Sequence, residues 1–170
     1  EQGLTDVADL LAAFAAGNRS MVIERDYQGL FGNVKDSANT TAVNLAAALA
    51  RAPQRVLLVD LDAQGNATMG SGVDKREVEA STCDVLLGEI GAKAVVVTTA
   101  EGFDLMPGNI DLTAAEIQLM ESDGREQRLK TALESLRGDY DFIIIDCPPA
   151  LSLLTINALT AADSVLVPMQ

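Results

Sequence analysis

The chain has 170 residues, 48% of them hydrophobic but only 4% aromatic, and a net charge of −13. Its length and apolar content suit one folded domain with a core of Ala, Leu, Ile and Val, and exclude a disordered polyanion. The acid excess opposes direct binding to nucleic acid or an anionic membrane, and no apolar run reaches the roughly 18 residues of a membrane span.

Residues 4–16, "LTDVADLLAAFAA", place Leu4, Val7, Leu10, Leu11 and Phe14 on one helical stripe ended by Gly17 and Asn18. A single helix is too little for a DNA-reading module, so residues 1–20 are expected to form a helical packing arm ahead of a domain over 21–170. "MVIE" and "YQGLF" are weak strand candidates. The run "TTAVNLAAALARA", residues 40–52, predicts a helix closed by Pro53, with Thr40 and Thr41 at its N-terminus. "RVLLVDLD" is a continuous apolar run ending in acid, as expected of a central parallel strand buried on both faces.

Further along, "AVVVT" and "FDLMPG" predict short strands, and "DLTAAEIQLM" predicts a helix capped by Asp111. "GREQRLKTALESLRG" predicts an amphipathic helix ending at Gly138. Its cations, Arg125, Arg128 and Lys130, are interleaved with Glu126 and read as a solvated face rather than a nucleic-acid patch. "YDFIIIDCPP" predicts a second buried strand ending in acid, followed by the helix "SLLTINALTAAD" and the strand "SVLVPM". Alternation at this spacing implies βαβ crossovers: a doubly wound α/β fold with a mainly parallel sheet. Strands near 55–60, 141–146 and 164–168 are expected to be parallel neighbours. The two cysteines, Cys83 and Cys147, lack metal-ligand spacing and read as ordinary buried thiols of a reducing, cytoplasmic compartment.

In open α/β sheets ligands bind beyond the carboxyl ends of the strands. The two strongest strands deliver Asp60, Asp62 and Asp146 to that place, each strand being followed by a Gly or Pro turn. Such acids can hold Mg²⁺ through water; an Asp after a strand can equally serve only a following turn.

These residues carry a resemblance. "RVLLVDLDAQGNAT", "GFDLMPGNIDLTAAEIQLM" and "YDFIIIDCPPALSLLTINALTAADSVLVPMQ" resemble the ParA/Soj family of partition ATPases, deviant P-loop proteins related to MinD, over about residues 40–170. The resemblance implies a P-loop NTPase fold, cut short at its C-terminal side, and ATP-driven segregation of chromosome or plasmid DNA. It implies ATP and Mg²⁺ as cofactors, with a ParB-like protein and a second copy of the chain as partners. Asp146 and Asp60 would serve the metal, Asp62 would orient the attacking water, and "DAQGNAT" would sense the γ-phosphate. Ala63 stands where the family usually has Pro.

The departure lies just upstream. The family's loop reads K-G-G-V-G-K-T-T, whereas here "NVKDSAN" precedes Thr40 and Thr41. A gapless alignment puts the phosphate lysine at Ala38 and the Mg²⁺ threonine at Asn39. A two-residue deletion instead makes Lys35 the lysine that reaches across a dimer. Lys35, Asn39, Thr40 and Thr41 are thus the candidate nucleotide contacts. The loop's glycines, which turn backbone N–H groups toward phosphate, are missing. Asp36 adds a repulsion on the order of several kcal/mol. Weak or absent nucleotide binding is expected, and the alternative reading is a non-catalytic ParA-like module that works by binding a partner.

Overall fold

The computed structural model describes residues 34–148 and 150–166, and of residues 34–39 the backbone alone. The expected helix over 4–16, the strand candidates near 21–31 and the side chains of Lys35 and Asn39 lie outside the described residues.

Helix α1 spans Val34–Arg51. It begins at least six residues before the expected start at Thr40, because "VKDSAN" contains neither Gly nor Pro to interrupt it. Thr40 and Thr41 are therefore exposed positions inside a helix rather than its first turn. Ala42, Val43, Ala46, Leu49 and Ala50 form the stripe that α1 turns toward the sheet.

Among the described residues four strands follow: β1 (Val56–Asp60), β2 (Val97–Thr98), β3 (Asp104–Met106) and β4 (Phe142–Asp146), in the order β2-β3-β1-β4. β1 pairs in parallel with both β3 and β4, and β2 is antiparallel to β3. Of "AVVVT", only Val97 and Thr98 extend; Val95 belongs to a short helical turn, α4 (Ala92–Val95). Ser164–Leu166 join no ladder among the described residues, and the rest of the expected strand at 164–168 lies beyond them.

The sheet is covered on both faces, as the apolar run of β1 anticipates. Leu57, Val59 and Leu61 enter one core with Ile143 and Ile145, packed under α3 (Thr82–Leu87), α5 (Leu112–Leu119), α6 (Arg128–Glu134) and α7 (Leu153–Ala161). Val56 and Leu58 enter the other with Phe142, Ile144, α1 and Ala67 of α2 (Asn66–Gly70). Because side chains alternate along a strand, Asp60 and Asp146 both fall on the α1 and α2 face.

Two expectations about helix ends are corrected. Asp111 stands at the N-cap of α5 as expected, but its side chain makes no capping bond: its carboxylate accepts from Asn109 Nδ2 at 3.0 Å, and its own N–H donates to Asn109 Oδ1 at 3.1 Å. The long helix expected over 124–138 divides into a 3₁₀ turn, Arg125–Gln127, and the shorter α6. The division is fixed by Asn157 of α7, which is fully buried. Its Oδ1 accepts from Leu129 N–H (3.1 Å), and its Nδ2 donates to the carbonyls of Arg125 (2.8 Å) and Leu153 (3.0 Å). Asn157→Ala strands these groups inside the protein and should lower stability by about 2–4 kcal/mol, read from urea unfolding. A loss below about 0.5 kcal/mol would show that the junction does not depend on this side chain.

Candidate functional site

The site is built where β1 and β4 end. At their beginnings, Arg55 and Asp141 set the register: Arg55 Nη2 lies 2.8 Å from Asp141 Oδ1, and the Asp141 N–H donates to the Arg55 carbonyl at 2.8 Å. Hydrogen bonding to Arg55 holds the Asp141 carboxyl down at about 2. Five paired positions later Asp60 stands opposite Asp146, and the ladder is continued by Leu61 N–H donating to the Asp146 carbonyl at 2.8 Å. The expected meeting of Asp60 and Asp146 at one edge is thus observed.

The three acids are differently placed. Asp60 is fully buried and its carboxylate is engaged. Its Oδ2 accepts from Thr68 N–H (2.8 Å) and Thr68 Oγ1 (2.7 Å), and its Oδ1 from Asp62 N–H (3.1 Å). Burial raises the Asp60 pKa, and the Thr68 bonds counter part of that rise. Asp62, 4% exposed, uses Oδ1 to accept from Gln64 N–H at 3.0 Å, which holds the turn after β1. Asp146, 8% exposed, has a buried Oδ2 without a hydrogen-bond partner among the described residues. Burial, followed by the negative charges of Asp60 and Asp62, pushes its carboxyl up to about 7.

Two residues that lie inside the quoted motifs but were given no role of their own hold this arrangement. Thr68, fully buried in α2, also accepts from Gly108 N–H at 2.9 Å, tying the loop after β1 to the turn after β3. Gly108 is required by contact: a Cβ there would lie 2.7 Å from the Asp60 carbonyl oxygen and 2.9 Å from its carboxyl carbon. The signals were available, as Pro-Gly after a strand and a lone hydroxyl in an otherwise helical "NATMG", but which acid they serve is a tertiary matter.

Chemically, a desolvated carboxylate with an unpaired oxygen and two acids beside it favours a cation or a proton. Among the described residues no three acidic, His or Cys side chains are grouped to hold a metal ion directly. A Mg²⁺ ion keeping several waters needs only one or two, so the Asp146 edge fits such an ion. The candidate phosphate side is different. Val34–Asn39 is helical backbone, not a glycine loop, and offers no inward cradle of N–H groups.

A mainly parallel sheet flanked by helices, with acids at its carboxyl edge, defines an α/β domain of the P-loop NTPase type. The chain belongs to the AAA domain family, whose sequence profile matches residues 32–170. The ParA/Soj resemblance holds across sequence relatives. The sporulation initiation inhibitor protein Soj of Bacillus subtilis (strain 168) is 53% identical over 132 residues, which cover 77% of this chain and 52% of Soj. The chromosome partitioning protein ParA of Myxococcus xanthus (strain DK1622) is 48% identical over 132 residues, covering 77% of this chain and 47% of that protein. Among solved structures, cobyrinic acid a,c-diamide synthase from Mycobacterium smegmatis, with bound ATP analog and magnesium, superposes with a TM-score of 0.71. It is 51% identical, and the match covers 74% of this chain and 52% of that one. The chain spans about half the length of the curated relatives it matches.

The buried acid makes stability pH-dependent with a definite sign. Between about pH 4 and pH 7 the unfolded chain has released the Asp146 proton that the native protein keeps. The contribution of protonated Asp146 is therefore whole below about pH 4 and lost as pH rises through 7. Asp146→Asn should flatten this decline and raise stability at pH 8 by on the order of 2–4 kcal/mol. Urea unfolding at pH 5 and pH 8 checks it, and an unchanged slope would remove Asp146 as the source. Gly108→Ala, forced against Asp60, should cost about 1–3 kcal/mol in the same measurement.

Proposed function

We propose that this chain is the domain of a ParA/Soj-like partition ATPase that carries the cation-side acids, and that its own affinity for Mg·ATP is low. The observation that carries the reading is the pairing of Asp60 with Asp146 at the carboxyl edge, with the Asp146 Oδ2 buried and unpartnered among the described residues. The Soj and ParA relatives support the partition class. The ATP analog and magnesium in the M. smegmatis structure support the cofactors. A synthase reaction, as the name of that protein gives, is the second reading of the same edge; the Soj and ParA relatives favour partition.

In this reading Asp146 binds the hydration shell of Mg²⁺, which neutralises charge on the phosphates when bound. Asp62, held by its bond to Gln64, accepts a hydrogen bond from the attacking water and fixes its direction. Asp60 supports both from behind: its carboxylate is spent on Thr68 and the Asp62 N–H, so it positions the loop more than it meets the ion. Lys35, Asn39, Thr40 and Thr41 are the residues left to meet phosphate. A ParB-like protein and a second copy of the chain are the partners this role implies, in the cytoplasm.

The low affinity follows from the glycine-free helical run ahead of Thr40. Replacing Asn33–Asn39 by the family's N-Q-K-G-G-V-G-K-T restores the cradle, the lysine and the Mg²⁺ threonine, and removes Asp36. Each restored contact is worth roughly 1–3 kcal/mol. Calorimetry should show Mg·ATP affinity at least tenfold higher than in the parent, dependent on Mg²⁺ and reduced by Asp146→Ala. A folded, repaired chain that binds no better than the parent would leave only a shared fold. A parent that already binds tightly would refute the proposed defect and reject the partner-binding alternative.

A further inference from the structure

A second concave site lies away from the carboxylate edge. It is a cavity of about 620 Å³ between the end of α3, the segment around Gly88–Ala92, and the outer face of α6. Val85, Ile90 and Ala132 give it an apolar wall, and Thr131 a hydroxyl. Its cation is Arg128. Leu129 and Leu133 turn α6 inward by their burial, which leaves Arg128 and Thr131 on the cavity side.

Arg128 is oddly provided for in so acidic a chain. Its Nε is buried without a hydrogen-bond partner among the described residues, and its guanidinium takes part in none of the ion pairs found among them. The side chain reaches toward Gly88, where a Cβ would stand 3.6 Å from Nη1, and Gly88 has a φ of +78° that other residues seldom adopt. A guanidinium offers donors in a planar fork matched to carboxylate or phosphate, and a buried donor left unpaired is costly. Asp123 also lines the cavity and is exposed. Its charge offsets much of the attraction of Arg128, so a second negative charge on a ligand gains little there while its desolvation, which grows with the square of the charge, costs more; this favours a monocarboxylate over a phosphate dianion.

We infer that the cavity over α6 is a binding site for a monocarboxylate with a short apolar body, its carboxylate on Arg128 and its body against Val85, Ile90 and Ala132. A small organic acid or the C-terminus of a polypeptide would present this chemistry. The site shares no residue with the nucleotide reading and does not depend on it.

The test is a titration of the ¹⁵N-labelled chain with N-acetyl-leucine and with N-acetyl-leucinamide, which has the same body without the charge. The acid should move the amide signals of Gly88, Gly91 and Thr131 at least tenfold more tightly than the amide does. Arg128→Gln should bring the acid down to the level of the amide, and Arg128→Lys should fall between. The acid-against-amide comparison needs no variant, so it stands even where a substitution impairs folding. A tetrapeptide ending in free leucine that binds tenfold more tightly than N-acetyl-leucine assigns a polypeptide end as the source; equal affinity assigns a small acid. Equal binding of acid and amide, shifts confined to other residues, or full affinity in a folded Arg128→Gln variant would overturn the inference.

Discussion

The parallel pairing of β1 with β4 is the constraint on which the rest depends. Arg55 and Asp141 lock it at one end, and the Leu61 N–H on the Asp146 carbonyl locks it at the other. A slip of one residue would send Asp60 and Asp146 to opposite faces, and would exchange the apolar side chains between the two cores. Held in register, the strands bring two carboxylates together on the face covered by α1 and α2. The protein accepts the electrostatic cost at Asp146, whose carboxyl burial and neighbouring charge push up to about 7.

That cost is managed unevenly. Asp60 is surrounded by donors from Thr68 and the Asp62 backbone, so its charge is distributed into α2 and, through Thr68, to the turn at Gly108. Among the described residues Asp146 receives no such help at Oδ2. The asymmetry distinguishes a supporting acid from one facing the place where a cation would sit. It also links the loop after β1 to the turn before α5 through one hydroxyl.

Much of this was legible in the chain. The runs "RVLLVD" and "DFIIID" announce buried parallel strands, because only a strand covered on both faces is apolar at every position. Their terminal acids mark the edge where ligands bind, and the ParA/Soj motifs pointed to the family. The three short helices α2, α3 and α4 were not read, since four to six residues show no helical period. Even so, Ser81 and Asp84 form a capping box for α3, Ser81 N–H meeting the Asp84 carboxylate at 2.7 Å. That spacing is visible in "STCD".

By itself, then, the sequence determined the alternation of elements, the central strands and the identity of the acids at their ends, because hydrophobic period and strand-end chemistry are local. The tertiary structure decided which of those acids is satisfied and which is left bare. That depends on Thr68 and Gly108, which lie 8 and 48 positions from Asp60 along the chain and reach it only in the fold. It likewise decided that "VKDSAN" belongs to α1, and that Arg128 lines a cavity with its Nε unpartnered among the described residues rather than lying on a solvated helix face. A residue's partners are set by packing across the chain, and no window of sequence contains them.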